Sequence, residues 1–220
     1  MLSTSLGTGA SVIENTEDPR APRPVYASNR GQAIAKRLAS AGIPASISNK
    51  HGPRSLSSIV QGIGSGITAV ELKVAAKADV VFLAVPWSVH TEAVAGLAPW
   101  DNRIVIDAMN AASVGPEGFR PFDLGGRPSS QVVADRLTGA RGVKAFNTLP
   151  ASILVSDPQA NGGKRMLFVS GDDESAKQEV TQLIGRLGFV AIDLGNLESG
   201  RRLQEFPGGP LAGINVVQFP

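Results

Sequence analysis

Ser46-Ile47-Ser48-Asn49-Lys50-His51-Gly52-Pro53-Arg54 gathers hydroxyls, an amide and two strong cations into one short stretch with no acidic residue in it. Such a donor set suits a phosphate monoester. A turn of this kind after a second strand meets the ribose of a dinucleotide, where Asp or Glu would select the free 2′-hydroxyl of NAD. Its composition therefore predicts NADP rather than NAD, the plain alternative being an ordinary solvated turn. A second cluster lies upstream. Gly31 opens an alanine-rich segment and stands where the third glycine of a G-x-G-x-x-G turn would, which puts Tyr26 and Ser28 at the first two glycine positions. Gly31 keeps close helix–strand packing open, whereas Ser28 puts a side chain in the phosphate path. A forced left-handed backbone there would cost roughly 1–2 kcal/mol. Ser28, Asn29 and Arg30 still offer donors to an anion at a helix start.

Three apolar runs change to small or polar residues at their ends: Ala84-Val85-Pro86-Trp87, Asp107-Ala108-Met109-Asn110 and Phe146-Asn147-Thr148-Leu149. Those ends are where a parallel sheet binds its ligands. His51 and His90 are the only histidines, and neither has metal-ligand spacing. His51 belongs with the phosphate turn. His90 opens a helix facing the cleft and is the one weak catalytic candidate. Asp107 is read as capping a turn, and Trp87 as a wall of the site or a core aromatic.

These residues must be carried by alternating strands and helices. Strands are expected at Val25–Ala27, Pro44–Ser48, Ile67–Val70, Asp79–Val85, Arg103–Asp107, Gly142–Phe146, Met166–Ser170 and Phe189–Asp193. Helices are expected from Gly31 to Gly42, Pro53 to Gln61, Ser88 to Leu97, Ser129 to Leu137, and from Asp172 or Asp173 to Leu187. Asp79–Val85 is apolar on both faces, as a central parallel strand should be. The fold class is α/β: a Rossmann-type, doubly wound, mostly parallel sheet with a small C-terminal extension. Residues 1–24 read as a flexible Pro-rich leader, 25–150 as an NADP-binding domain, and 151–220 as a small C-terminal α/β portion packed on it.

The composition is that of a globular chain, with 42% hydrophobic and 18% charged residues, and cysteine is absent. Disulfides and thiol chemistry are thereby excluded, and a cytoplasmic location is expected. The pI near 9.1 overstates the basicity, since the net charge is only +2. No basic run or aromatic-basic interleaving suggests nucleic acid, and no segment is long enough to predict a membrane span. A homodimer through sheet edges or the Val180–Leu187 helix is compatible, though nothing selects one.

In this order and spacing, Ser48 to Leu56, Phe82 to Trp87, Asp107 to Asn110, Lys144 to Leu149, Gly171-Asp172-Asp173 and Asp193-Leu194-Gly195 resemble a known family. It is the predicted dinucleotide-binding proteins related to coenzyme F420 (deazaflavin)-dependent NADP oxidoreductase. The likeness runs from about Gly31 to Leu211. It implies a Rossmann-type domain binding NADP(H), with a small C-terminal portion closing over the nicotinamide. By that resemblance the glycine loop maps to Tyr26–Gly31 and the 2′-phosphate turn to Ser48, Asn49, Lys50 and Arg54. The nicotinamide and ribose contacts map to Ala84, Val85, Pro86, Asn110, Phe146, Asn147 and Thr148. Family members carry glycines where this chain has Tyr26 and Ser28.

Hydride transfer between a nicotinamide and a planar acceptor needs rings held face to face rather than a strong protein acid. The expected activity is therefore hydride exchange between NADP(H) and a small-molecule deazaflavin, flavin or similar acceptor. The alternative is a non-enzymatic NADP-binding sensor or inactive paralogue with a degenerate glycine loop. A third reading is reduction of a small carbonyl compound with His90 or Lys144 as acid.

Overall fold

The computed structural model describes residues 9–14, 30–97 and 99–220. The strands are β1 (Ala10–Glu14), β2 (Ala45–Ser48), β3 (Ile67–Ala69), β4 (Val80–Ala84), β5 (Ile104–Asp107), β6 (Ala112–Gly115), β7 (Gly118–Pro121), β8 (Arg141–Ala145), β9 (Gln159–Ala160), β10 (Gly163–Gly171), β11 (Val190–Asp193) and β12 (Val217–Gln218). The main sheet runs β11-β10-β8-β5-β4-β1-β2-β3. From β3 to β8 all neighbours are parallel, whereas β10 is antiparallel to β8 and parallel to β11. β9 and β12 pair with β10, and β6–β7 form a separate hairpin. This is the expected Rossmann-type α/β architecture. Residues 151–220 continue the same sheet through the β8–β10 seam.

The helices are α1 (Arg30–Ser40), α2 (Ser57–Ile63), α3 (Leu72–Ala75), α4 (His90–Val94), α5 (Ser129–Ala134), α6 (Ala151–Leu154), α7 (Glu174–Arg186) and α8 (Leu197–Gln204). Alternation along the strands divides the core in two. Val12, Phe82, Ala84, Ile104 and Ile106 pack with α1, α6 and α7, while Ile13, Val81, Leu83 and Val105 pack with α3, α4 and α5. Of the two candidate caps for α7, Asp173 accepts the Ala176 amide at 2.7 Å, and Asp172 instead accepts the amide of Leu197 at the start of α8. The expected Ser88–Leu97 helix is shorter, a 3-10 turn at Trp87–Val89 followed by α4. The second helix likewise opens with a 3-10 turn at Pro53–Leu56.

One expectation is overturned. The first strand is Ala10–Glu14, inside the segment read as a leader, and Val25–Ala27 lies outside the described residues. β1 sits mid-sheet with Ala10 to Ile13 registered on Ala45 to Ser48 of β2 and Ala10 to Glu14 on Val80 to Ala84 of β4. Two features hid it. Its apolar centre is only Val12-Ile13, flanked by Ser11 and Glu14, and Ser11 is tolerated because its hydroxyl donates to the Ala75 carbonyl at 2.5 Å. Residues 15–29 also separate β1 from α1, against the usual connection of about 2–6 residues. Among the described residues, no helix is long and apolar enough to cross a membrane.

Candidate functional site

The chain runs from β1 outward to β3 and then returns to β4 on the other side of β1. A sheet that reverses direction in this way opens a crevice at its carboxyl edge. At the β1–α1 corner, strand and helix touch: a Cβ on Gly31 would stand 2.6 Å from Glu14 Cβ and 3.3 Å from a Val12 methyl. Gly31 thus does what the third glycine of the turn is needed for. Glu14 is 1% exposed, and neither of its carboxyl oxygens has a hydrogen-bond partner among the described residues. Burial pushes its pKa up to about 7, against a weaker opposing pull from Gln32. Arg30, the first residue of α1, donates through Nη1 to the carbonyls of Phe146 and Leu149, the second at 2.8 Å. Burial lowers its pKa to about 10, so it stays charged at neutral pH.

At the end of β2, Asn49 shapes the turn. Its Oδ1 accepts the His51 amide and the Ser55 hydroxyl, each at 3.0 Å. Lys50 and Arg54 are exposed on that turn, and the buried Ser48 hydroxyl has no partner among the described residues. One acidic group approaches from outside the motif: a Cβ on Gly52 would lie 3.6 Å from the Glu71 carboxylate. Between β1, β2 and α4 lies a cavity of about 50 Å³, lined by Ile13, Glu14, Lys50, Leu72, Val85, Val89, Glu92 and Ala93.

After β4, Ala84 and Val85 are buried and Pro86 precedes the Trp87–Val89 turn. His90 is not presented to the cleft as expected. It is 7% exposed, its ring stacks on Trp87 at 4.2 Å, and Nδ1 lies 2.6 Å from the Trp87 carbonyl.

β5 and β8 are joined at their ends by a buried ion pair, with Lys144 Nζ 3.0 Å from Asp107 Oδ2 and donating to the Met109 carbonyl at 2.6 Å. Asp107 Oδ1 accepts the Met109 amide, the turn-capping role expected of it. Beyond them Asn110 and Asn147 exchange hydrogen bonds at 3.1 Å, and Asn147 also donates to the Gln204 carbonyl at 2.7 Å. Thr148 accepts the Gly213 amide through its carbonyl, which ties the C-terminal segment to this edge. The Thr148 hydroxyl and Asn147 Oδ1 are buried without partners among the described residues. Phe146 is buried at φ 63°, a left-handed conformation costing roughly 1–3 kcal/mol in a bulky residue. It packs edge-on against Phe82 at 5.3 Å.

The structure therefore gathers Arg30, Gly31, Ser48, Asn49, Lys50, Ala84, Val85, Pro86, Asn110, Phe146, Asn147 and Thr148 along one edge, with Arg54 on the following 3-10 turn. Ser28, Asn29 and Tyr26 lie outside the described residues. Glu14, Glu71 and Gln204 were not foreseen. A carboxylate ending a strand that leads to Gly31 was the available signal for Glu14.

Residues 27–111 match the model of a family described as NADP oxidoreductase, coenzyme F420-dependent. The hypothetical protein SMa0349 of Sinorhizobium meliloti is 42% identical and superimposes with a TM-score of 0.86 over 96% of each chain. The chain belongs to this F420-dependent NADP oxidoreductase-like family. A candidate F420-dependent NADP reductase from Arthrobacter sp. FB24 shares the family fold at 24% identity and a TM-score of 0.69, covering 89% of this chain and 88% of that one. The Rattus norvegicus metalloreductase STEAP3 is 27% identical over 130 residues, 59% of this chain. This chain spans about a quarter of the length of the curated relatives it matches, the shared part being 25% of STEAP3. The family is one of NADP-dependent oxidoreductases.

Proposed function

We propose that this family member exchanges hydride between NADP(H) and a deazaflavin such as coenzyme F420, a flavin or a similar planar acceptor. The observation that carries the reading is the turn after β2. Asn49 holds it, Lys50 and Arg54 stand exposed on it, and the buried Ser48 hydroxyl still has donor capacity to give. A 2′-phosphate answers that donor set better than a free hydroxyl does. The nearby Glu71 carboxylate tempers the preference without occupying the turn.

The residues fit the two ends of a dinucleotide. At the nicotinamide end, Ala84, Val85 and Pro86 offer an apolar wall, and the unpartnered Thr148 hydroxyl and Asn147 Oδ1 offer polar contacts for an amide or ribose. The bound nicotinamide would supply the hydride. The chain's own contribution is positioning: the Asp107–Lys144 pair and the Asn110–Asn147 exchange hold both loops in one place, and burial keeps water out. A carbonyl reductase is disfavoured because His90 is turned to Trp87 and Lys144 is engaged by Asp107 and Met109. The non-enzymatic alternative draws on a separate observation, the buried Glu14 carboxyl where a diphosphate would approach.

The test is to titrate the protein with NADPH and NADH and then offer F420 and flavins to the NADPH complex. NADPH should bind more tightly than NADH. Lys50→Ala and Arg54→Ala should each weaken NADPH by about ten-fold or more with little effect on NADH, the magnitude of a charge-assisted hydrogen bond. Tight NADPH binding with no oxidation by any planar acceptor would sink the activity and leave the sensor reading.

A further inference from the structure

The β1–α1 corner carries more than the third glycine. A diphosphate bound at such a corner is met by the first-turn amides of the helix and by its positive end. In this chain a side chain already stands there. Glu14 presses its Cβ against Gly31, and Oε2 lies 3.2 Å from the position a Gly31 Cβ would take. It is 1% exposed, its oxygens have no close hydrogen-bond partner among the described residues, and the pull of Gln32 is outweighed by its burial.

We propose that Glu14 sets the dinucleotide affinity of this chain: its charged form repels the diphosphate from the α1 corner, and its neutral form admits the diphosphate by donating the carboxyl proton as a hydrogen bond. The proposal rests on the reading that NADP(H) occupies the cleft.

The groups around Glu14 leave its own burial in control. On α1, Arg30 is committed to the Phe146 and Leu149 carbonyls and Gln32 is neutral. On β4 the registered residue is Ala84, followed by the apolar Val85. From α3 the cavity wall is Leu72. Lys50 after β2 and Glu92 on α4 line the same cavity with opposite charges, and His90 on α4 faces Trp87. Burial holds half of the Glu14 carboxyls protonated near pH 7, so the two forms exchange over an ordinary working range. Binding above neutrality then draws one proton from solvent onto Glu14, and release returns it.

The experiment is a set of NADPH titrations from pH 6 to 8.5 on the wild-type protein and Glu14→Gln, a neutral isostere. Wild-type affinity should fall by about ten-fold or more across that range. Glu14→Gln should stay at or above the wild-type acid-side affinity throughout. It should show only the change both proteins share from the cofactor's 2′-phosphate, which titrates near pH 6, as phosphate monoesters do (about 6). A measurement on the wild-type protein alone guards against a misfolded variant: calorimetry at pH 7.5 in two buffers of different protonation enthalpy should detect proton uptake on binding. Parallel pH curves for the two proteins, or no proton uptake, would overturn the role of Glu14 and leave NADP binding standing. No NADPH binding by either protein at any pH would overturn both.

Discussion

At the scale of single residues, Glu14 has an energetic signature that needs no ligand. Its pKa in the folded chain is about 7 against 4.5 for the free side chain. Between those values the folded state holds the proton more tightly than the unfolded state. The slope of stability with pH is therefore negative there. Stability should be highest, on this account, below pH 4.5 and decline as pH rises through 7. The full difference approaches about 3 kcal/mol at 1.36 kcal/mol per pKa unit. Glu14→Gln should remove that decline, and denaturant melts at pH 5 and pH 8 would check it; an unchanged decline would assign it elsewhere. The neighbouring residues show how much of the site was legible. That Ser48, Asn49, Lys50 and Arg54 fall together at one strand end could be read because Gly52-Pro53 breaks the chain just after β2. Phe146, Asn147 and Thr148 could be read as a strand end. What could not be read was commitment: the sequence does not show that His90 stacks on Trp87, or that Lys144 is bound to Asp107 and Met109. Hydrogen-bond partners 35 or 37 positions away are set by the register of β5 on β8, not by local pattern.

At the scale of elements, the two strands that frame the nicotinamide end depend on one buried pair. Asp107 and Lys144 are registered partners on β5 and β8, and both side chains are almost fully buried. Lys144→Met would leave the Asp107 carboxylate buried without its counter-charge, at a cost of about 3–5 kcal/mol. Adding Asp107→Leu to make a double variant should recover much of that loss, because replacing a whole buried pair with apolar groups is often near neutral. Urea melts of the single and double variants measure both. A single variant as stable as the wild type would mean that the pair is hydrated in solution. Strand recognition succeeded wherever burial on both faces leaves an unbroken apolar run, as in Val80–Ala84 and Ile104–Asp107. It failed at Ala10–Glu14, where the buried stretch includes Ser11 and Glu14 and the helix it serves begins only at Arg30. The short helices α3, α6 and α8 and the β6–β7 hairpin escaped notice as well, since four to eight residues carry little periodicity.

Across the whole molecule, β1 is the strand that both halves of the parallel sheet share. It is hydrogen-bonded to β2 on one side and β4 on the other. A chain lacking residues 1–14 should lose cooperative unfolding and bind ANS, since β2 and β4 would each expose an unpaired edge with the apolar surfaces of Ile47 and Phe82 uncovered. A sharp melting transition in that truncated chain would show that the parallel sheet closes without it.

Position in the sheet also becomes position in time. On the ribosome β1 meets its far partner only when Val80–Ala84 has emerged, and Ala10 is registered on Val80. At translation speeds of about 5–20 residues per second, that interval is roughly 4–14 s. Through it the nascent Val12-Ile13 has at most one side of its pairing available. Ser11 and Glu14, which obscured the strand in the sequence, keep that waiting segment from being a purely apolar invitation to aggregate.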